Sequence, residues 1–424
     1  MTDSVDFFMD RGVVADPYPY LEALQAQCPV VREPHHGVWM VTGWEEASEV
    51  AGDAERFSSC ISVTGPFPGF PVPVEGRDDV PELIAAHRDE LPFNDQLPTF
   101  DPPMHTDHRA LLMKLITPKR LKENEDAMAA MVDRALDDYL VGSGGEFIAG
   151  FGQPFTLMVI ADLLGVPDAD RDEFLAEMRS GDHHGGGIGS VKGESLAKSP
   201  LEYLYDKFIA YIEDRRANPR GDVLSEMAAA TFPDGTVPDP ADVARVAANL
   251  YSAGQETTVR LLSAALQILG DRPDVQAELR ADRTKVGNFI EEALRYESPV
   301  KGDFRLSTCP VTLAGVDVPA GSTLMVVNGA ANRDPRRFAD PDTFDPNRSN
   351  ARQHIAFGRG IHTCPGAPLA RAEARVALDR LLDRTSDIRI SEAHHGPAGD
   401  RNYHYVPTYI LRGLTELHLE FDLS

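Results

Sequence analysis

Residues Phe357 to Gly366 read Phe-Gly-Arg-Gly-Ile-His-Thr-Cys-Pro-Gly and set Cys364 at the end of a Gly-rich loop, directly before a strongly helical segment, Ala367 to Arg384. A thiol in that place meets the positive end of a helix dipole, which lowers its pKa and favours the anion. Glycines let backbone N–H groups approach the sulfur closely. An anionic sulfur held that way is a soft metal ligand, and thiolate is one of the proximal ligands that haem iron takes. The plainer readings are a buried cysteine in a turn, or a zinc site using His354, His362 and Cys364. Zinc sites usually show paired Cys or His spacings, which this chain lacks.

Helical spacing marks a second locus. Residues Pro240 to Leu269 would run about 45 Å at helical rise, long enough to cross a molecule of this size. In the middle lies Ala253-Gly254-Gln255-Glu256-Thr257-Thr258. Glycine and threonine there cost up to about 1 kcal/mol each relative to alanine. A threonine hydroxyl can bond back to the carbonyl four residues earlier and open the helix locally. Thr257 is placed to do this toward Ala253, beside Gly254, where a missing side chain leaves room for a diatomic ligand. An acid beside an alcohol suits proton delivery to a reacting oxygen. The plain alternative is a helix kink with a solvated glutamate.

Composition narrows the class. The chain is 42% apolar and 25% charged, enough for a large core, and its net charge is −26. That balance argues against a nucleic-acid surface, which would need a basic face. Four scattered cysteines, Cys28, Cys60, Cys309 and Cys364, form no CxxC pair and fit a reducing cytoplasm. Met1 to Asp10 lacks the basic and apolar regions of a signal peptide. No run approaches the eighteen or so apolar residues that span a bilayer.

His36 to Trp44 has strand composition. Ser59 to Pro98 is rich in Pro and Gly and reads as a long loop with a short helix near Pro81 to His87. Helical periodicity covers Met104 to Leu140, Phe155 to Met178, Leu201 to Arg216, Pro240 to Leu269 and Arg283 to Tyr296. Ser180 to Lys198, with six glycines and His183-His184, reads as a connection whose Gly185 to Gly189 stretch suits an adjustable lid. Phe304 to Val327 is strand-and-turn sequence, and Tyr403 to Phe421 alternates like a hairpin. The expected fold is mainly α with small β-sheets, in one domain over residues 1–424.

Phe357-Gly358-x-Gly360-x-His362-x-Cys364-x-Gly366 resembles the haem-binding loop of the cytochrome P-450 monooxygenases. The resemblance implies that family's fold, with haem b between the long central helix and the Cys loop with its following helix. It makes Cys364 the axial iron ligand, with Phe357, Gly358 and Gly366 against the cofactor on that side and Ala253 and Gly254 on the other. The hexapeptide is similar to the family's oxygen-activation motif. Thr257 would then help hold the activated oxygen, and Glu256 would relay protons from solvent. Asp101 to Arg109 resembles the segment that partners the haem propionates through His105 and Arg109, an i, i+4 pair on one helix face. Arg305 and His362 stand where two further propionate partners are expected. Glu292-Ala293-Leu294-Arg295 matches a Glu-x-x-Arg motif. With Arg348, from Phe338-x-x-Pro341-x-x-Phe344-x-x-x-Arg348, it would form a buried structural triad.

The resemblance further implies a cytoplasmic monomer without a membrane anchor. It would hydroxylate a hydrophobic terpenoid, aromatic or steroid-like compound with O2 and two electrons from a ferredoxin and its reductase. Pocket lining is expected from Phe67 to Pro98, Phe174 to Ser199, Leu250 to Glu256 and near Val300. The alternatives are a peroxide-driven peroxygenase, a non-catalytic haem protein on the same fold, and a metal-binding structural protein. Two departures carry expectations. Pro365, where relatives usually have Leu or another apolar residue, offers the sulfur no N–H, which should lower the haem potential; the plainer reading is that it simply starts the helix, and both can hold at once. Arg359 with Lys114, Lys119, Arg120 and Lys122 could form a basic patch that steers an acidic ferredoxin, or be scattered solvated cations.

Overall fold

The computed structural model describes residues 4–180 and 200–424. Prolines and short polar side chains decide where its helices begin. Pro118, Pro240 and Pro273 each stand in a first turn, where a missing N–H has no intrahelical partner to lose. The Thr117 side chain accepts from Arg120 N, and Asp239 accepts from Ala241 N, capping the helices that follow. Pro118 thereby divides the stretch Met104 to Leu140 into helices Met104–Leu115 and Pro118–Tyr139. Gly165, at φ 70°, and Pro167 divide Phe155 to Met178 in the same way, into Gln153–Leu163 and Asp168–Ser180.

Helices Pro200–Ala217, Pro240–Asp271 and Ala367–Arg384 stand where the periodicity put them. Arg283 to Tyr296 divides into a 3-10 turn, Arg283–Lys285, and a helix, Val286–Tyr296. Three short helices, Tyr18–Gln27, Trp44–Gly52 and Pro273–Ala281, were not expected from the pattern. The long loop Ser59 to Pro98 does carry its expected helix, at Val80–His87.

The Pro240–Asp271 helix, here the central helix, is about 48 Å long at helical rise. It packs against Gln153–Leu163, Pro200–Ala217, Met104–Leu115 and Ala367–Arg384. Its C-terminal half buries Leu261, Leu262, Ala265, Leu266 and Leu269 in one core with Leu378, Leu381 and Leu382 of Ala367–Arg384. Each such leucine contributes roughly 1.5–3 kcal/mol, so the two helices are held firmly. One stripe of the central helix, Arg245, Asn249, Ala253 and Thr257, is spaced i, i+4 and stays accessible among these packed neighbours. Open space therefore lies along it.

Small sheets flank the helices. A five-stranded sheet runs in the order Val30–Arg32, Trp39–Val41, Thr323–Val326, Asp303–Ser307, Phe57–Ser58. All its pairings are antiparallel except Trp39–Val41 with Thr323–Val326. Val311–Leu313 and Val316–Val318 form a hairpin turned by Ala314 and Gly315, both at positive φ, as a two-residue hairpin requires. The third sheet corrects one expectation. Tyr403 to Phe421 is a hairpin only in its first part, where Tyr405 and Leu414 meet in an antiparallel bridge and Val406 N and Thr415 N donate to Gly413 O and His404 O; His418–Leu423 is instead a strand that pairs Thr385–Ile390 and Gly144–Glu146. Residues 181–199, with the expected lid and His183-His184, lie outside the described residues. No described helix is long and apolar enough to cross a membrane.

Candidate active site

The Cys loop is shaped by two left-handed glycines, Gly358 at φ 68° and Gly360 at φ 70°. A Cβ at Gly360 would lie 2.5 Å from Ala51 O, so glycine is needed where the loop leans on helix Trp44–Gly52. Cys364 N donates to Phe357 O at 2.8 Å, closing the loop. The Phe357 ring lies under Arg371, 4.6 Å from the guanidinium carbon. A Cβ on Gly366 would stand 3.8 Å from Cys364 Sγ. Backbone N–H groups of Gly366 and Ala367 reach the sulfur, as the helix start permits.

The thiol itself is nonetheless pushed up. Burial outweighs those N–H groups and the nearby charges of Arg109 and Arg371. The expectation of a pKa lowered by the helix dipole is corrected on that account: desolvation is the larger effect in the loop alone. Pro365 does not start the helix, because Gly366 is the N-cap and the first-turn proline is Pro368. The zinc alternative also fails. His354 Nε2 pairs with Glu291 Oε2 at 3.0 Å, and no group of three potential ligands among the described residues could hold a metal ion.

Beside the loop lie two histidines and two arginines. The rings of His105 and His362 stand 4.3 Å apart, and the Nε2 of each is buried without a hydrogen-bond partner. Burial, then the charges of Arg305, His105 and Arg109, push His362 down to about 3. Burial and then Arg109 lower His105 in the same way. Arg109 donates from Nη2 to Thr363 O at 2.6 Å. Arg305, almost wholly buried, donates from Nη1 to Phe304 O at 2.7 Å and to Asp303 Oδ2 at 2.9 Å. Two arginine charges and two imidazoles with buried, orphaned ring nitrogens, brought together in one place, make a receptor for carboxylates.

Across the open space, Thr257 Oγ1 donates to Ala253 O at 2.8 Å, the back-bond read from the sequence. The helix stays continuous through it. Ala253 is exposed toward the space, whereas a Cβ at Gly254 would meet Ile160 Cδ1 at 3.4 Å. The glycine thus gives room between neighbouring helices, and the room in the cavity is at Ala253. Glu256 is half exposed and ion-paired with Arg260, one turn on and buried. That partner was legible as an i, i+4 pair but missed. Glu373, on the Ala367–Arg384 helix, was missed as well. It is buried and bonded to the Thr258 hydroxyl, with Oε2 unpartnered.

The Glu-x-x-Arg triad forms as expected. Arg295 Nε and Nη2 donate to Glu292 at 2.7 and 2.8 Å, Arg348 Nε donates to Glu292 Oε1 at 3.0 Å, and Glu292 and Arg295 are 0% exposed. The basic patch is largely neutralised. Arg120 pairs with Glu226, Lys119 with Glu123 and Lys122 with Asp126, Lys114 donates to Thr231 O, and Arg359 lies over Trp44.

The family model for cytochrome P450 matches residues 201–386. Cytochrome P450 144 of Mycobacterium tuberculosis is 33% identical over 97% of this chain and 90% of its own length. The cytochrome P450 monooxygenase PikC of Streptomyces venezuelae is also 33% identical, over 97% of this chain and 93% of its own. Among solved structures, substrate-free CYP150A6 of Mycobacterium marinum superposes with a TM-score of 0.93 at 50% identity, covering 100% of both chains. CYP109E1 of Bacillus megaterium, solved with corticosterone, has a TM-score of 0.79 at 28% identity, covering 97% of this chain and 99% of its own. The chain belongs to the cytochrome P450 family. It is an oxidoreductase of the monooxygenase class, its cofactor is haem b, and its mainly α architecture with small sheets is that of the family. The residues present suit that cofactor: a cysteine supplied with backbone N–H groups stands beside two arginines and two histidines whose buried ring nitrogens lack partners, and haem carries two carboxylates to match.

Proposed function

We propose that the protein hydroxylates a hydrophobic organic substrate, using O2 and two electrons delivered by a ferredoxin and its reductase. Haem, when bound, supplies the iron that activates O2 for insertion into a C–H bond. Cys364 would hold the iron, its sulfur steadied by the N–H groups of Gly366 and Ala367. Phe357, Gly358 and Gly366 would shape the cofactor's bed on that side, and Ala253 would bound the opposite face, Gly254 being turned to Ile160 instead. His105, Arg109, Arg305 and His362 hold its carboxylates; an anion there also supplies the partners that both ring nitrogens lack.

The observation that carries the reading is the Thr257 back-bond to Ala253 O, beside an acid. With its own proton donated to Ala253 O, the hydroxyl turns its oxygen to the open space as an acceptor that can hold a proton-bearing partner there. Glu256 relays the protons from solvent by turning away from Arg260. A peroxide-driven enzyme or a haem carrier has no use for such a pair. The deciding experiment measures coupling with Thr257→Ala. Oxygen consumption should continue while hydrogen peroxide replaces at least about nine-tenths of the product. Unchanged coupling would remove Thr257 from proton delivery.

A further inference from the structure

The accessible stripe of the central helix carries two polar side chains that proton delivery does not use, Arg245 and Asn249. Asn249 stands one turn before Ala253 and two turns before Thr257 on the same face. Tyr205, from helix Pro200–Ala217, donates from its hydroxyl to Asn249 Oδ1 at 3.3 Å. Gln96, at the end of the long loop, donates from Nε2 to the same hydroxyl at 3.2 Å. Gln96 is buried, and burial together with Asp95 pushes the Tyr205 hydroxyl up to about 12, so it stays a donor at neutral pH. Three separate elements thus converge to orient one amide. Among the described residues that amide nitrogen donates to nothing, and Asn249 stays part-exposed on the accessible stripe, so the donor is held in one direction and open to an acceptor on a ligand.

The charges nearby say which acceptor. One turn further along, Arg245 is held by Asp95 at 2.9 Å and by Asp242 at 3.3 Å, and His108 lies 3.8 Å from Asp242. The one arginine is already shared between two carboxylates, so among the described residues no free cation waits beside Asn249 for an anionic ligand. A carboxylate would meet repulsion here; a neutral oxygen would not.

We propose that Asn249, oriented by Tyr205 and Gln96, is a specificity subsite for a neutral hydrogen-bond-accepting oxygen, a carbonyl or hydroxyl, on an otherwise apolar substrate. Eight residues of helix separate Asn249 from Thr257, so that oxygen lies on the order of 10 Å from the carbon that is hydroxylated. The substrate class is an elongated apolar skeleton oxygenated at its far end. The inference rests on the monooxygenase reading for the position of the reacting carbon, but the subsite itself rests on binding.

The test uses haem-loaded enzyme and matched ligand pairs, each a hydrocarbon and its terminal ketone, on linear, bicyclic and tetracyclic skeletons. Affinity is read by optical spin-shift titration and by calorimetry. At least one ketone should bind about tenfold more tightly than its parent. Asn249→Leu should erase that preference while leaving the hydrocarbon's affinity within about twofold, and Tyr205→Phe should weaken it several-fold. Equal affinities in every pair, or no ketone bound at all, overturn the proposal. So does a preference that survives in Asn249→Leu, or a loss of both ligands equally, which marks a structural latch only. The ferrous–CO spectrum of the wild type tests the haem-thiolate reading separately, and its failure would leave the calorimetric preference standing.

Discussion

Glu373 joins the two helices that enclose the cofactor site, and it does so as an acid rather than a carboxylate. Burial pushes it up to about 8, against a smaller downward pull from the Thr258 hydroxyl. Its folded pKa is above the unfolded value, so the folded protein keeps a proton that the unfolded chain releases. Stability therefore falls as pH rises between the ordinary value of 4.5 and about 8, by at most about 1.4 kcal/mol per pH unit. Glu373→Gln, which imitates the protonated form, should raise Tm at about pH 8 and change it little near pH 5. Equal shifts at both pH values would contradict a titrating Glu373. Pro365 invites a second substitution. The sulfur receives N–H groups from Gly366 and Ala367 but none from residue 365. Pro365→Leu adds one donor and draws charge from the sulfur, so redox titration should find a higher potential. A potential unchanged or lowered would show that the added N–H does not reach the sulfur.

Between elements, ion pairs of equal appearance differ in worth. Helices Pro118–Tyr139 and Ala367–Arg384 are laced by Arg375–Glu125, Arg380–Asp133 and Arg384–Asp137, all solvent-exposed. Arg384→Ala should cost well under about 1 kcal/mol, since exposed pairs are screened and lose side-chain entropy. Glu292 is different, because it accepts from Arg295 and Arg348 and also from Asp345 N at 3.0 Å, wholly out of solvent. Glu292→Ala leaves two buried guanidiniums uncompensated and should cost about 3–5 kcal/mol in chemical denaturation, with loss of haem on purification. A loss no greater than that of Arg384→Ala would refute the distinction.

For the molecule as a whole, long helices and motif-bearing loops were legible because each is dictated locally. Spacing, a proline and a cap gave helices Pro240–Asp271 and Ala367–Arg384 to within two residues, and the Glu-x-x-Arg triad followed from the motif resemblance. What stayed hidden depends on partners far along the chain. Thr385–Ile390 is a strand because His418–Leu423 lies beside it; the Cys364 thiol is raised because packing desolvates it. Asn249 gained meaning only when Gln96 and Tyr205 arrived next to it. The same distance in sequence governs the molecule's making. Trp39–Val41 pairs with Thr323–Val326, and helix Trp44–Gly52 supports Gly360. While a ribosome is still translating, Val30–Arg32 and Trp39–Val41 can pair with each other, but the second edge of Trp39–Val41 has no partner until Thr323–Val326 has emerged. That edge must wait unpaired, so haem capture belongs to the finished chain, and a nascent one has an exposed edge that a chaperone would need to cover.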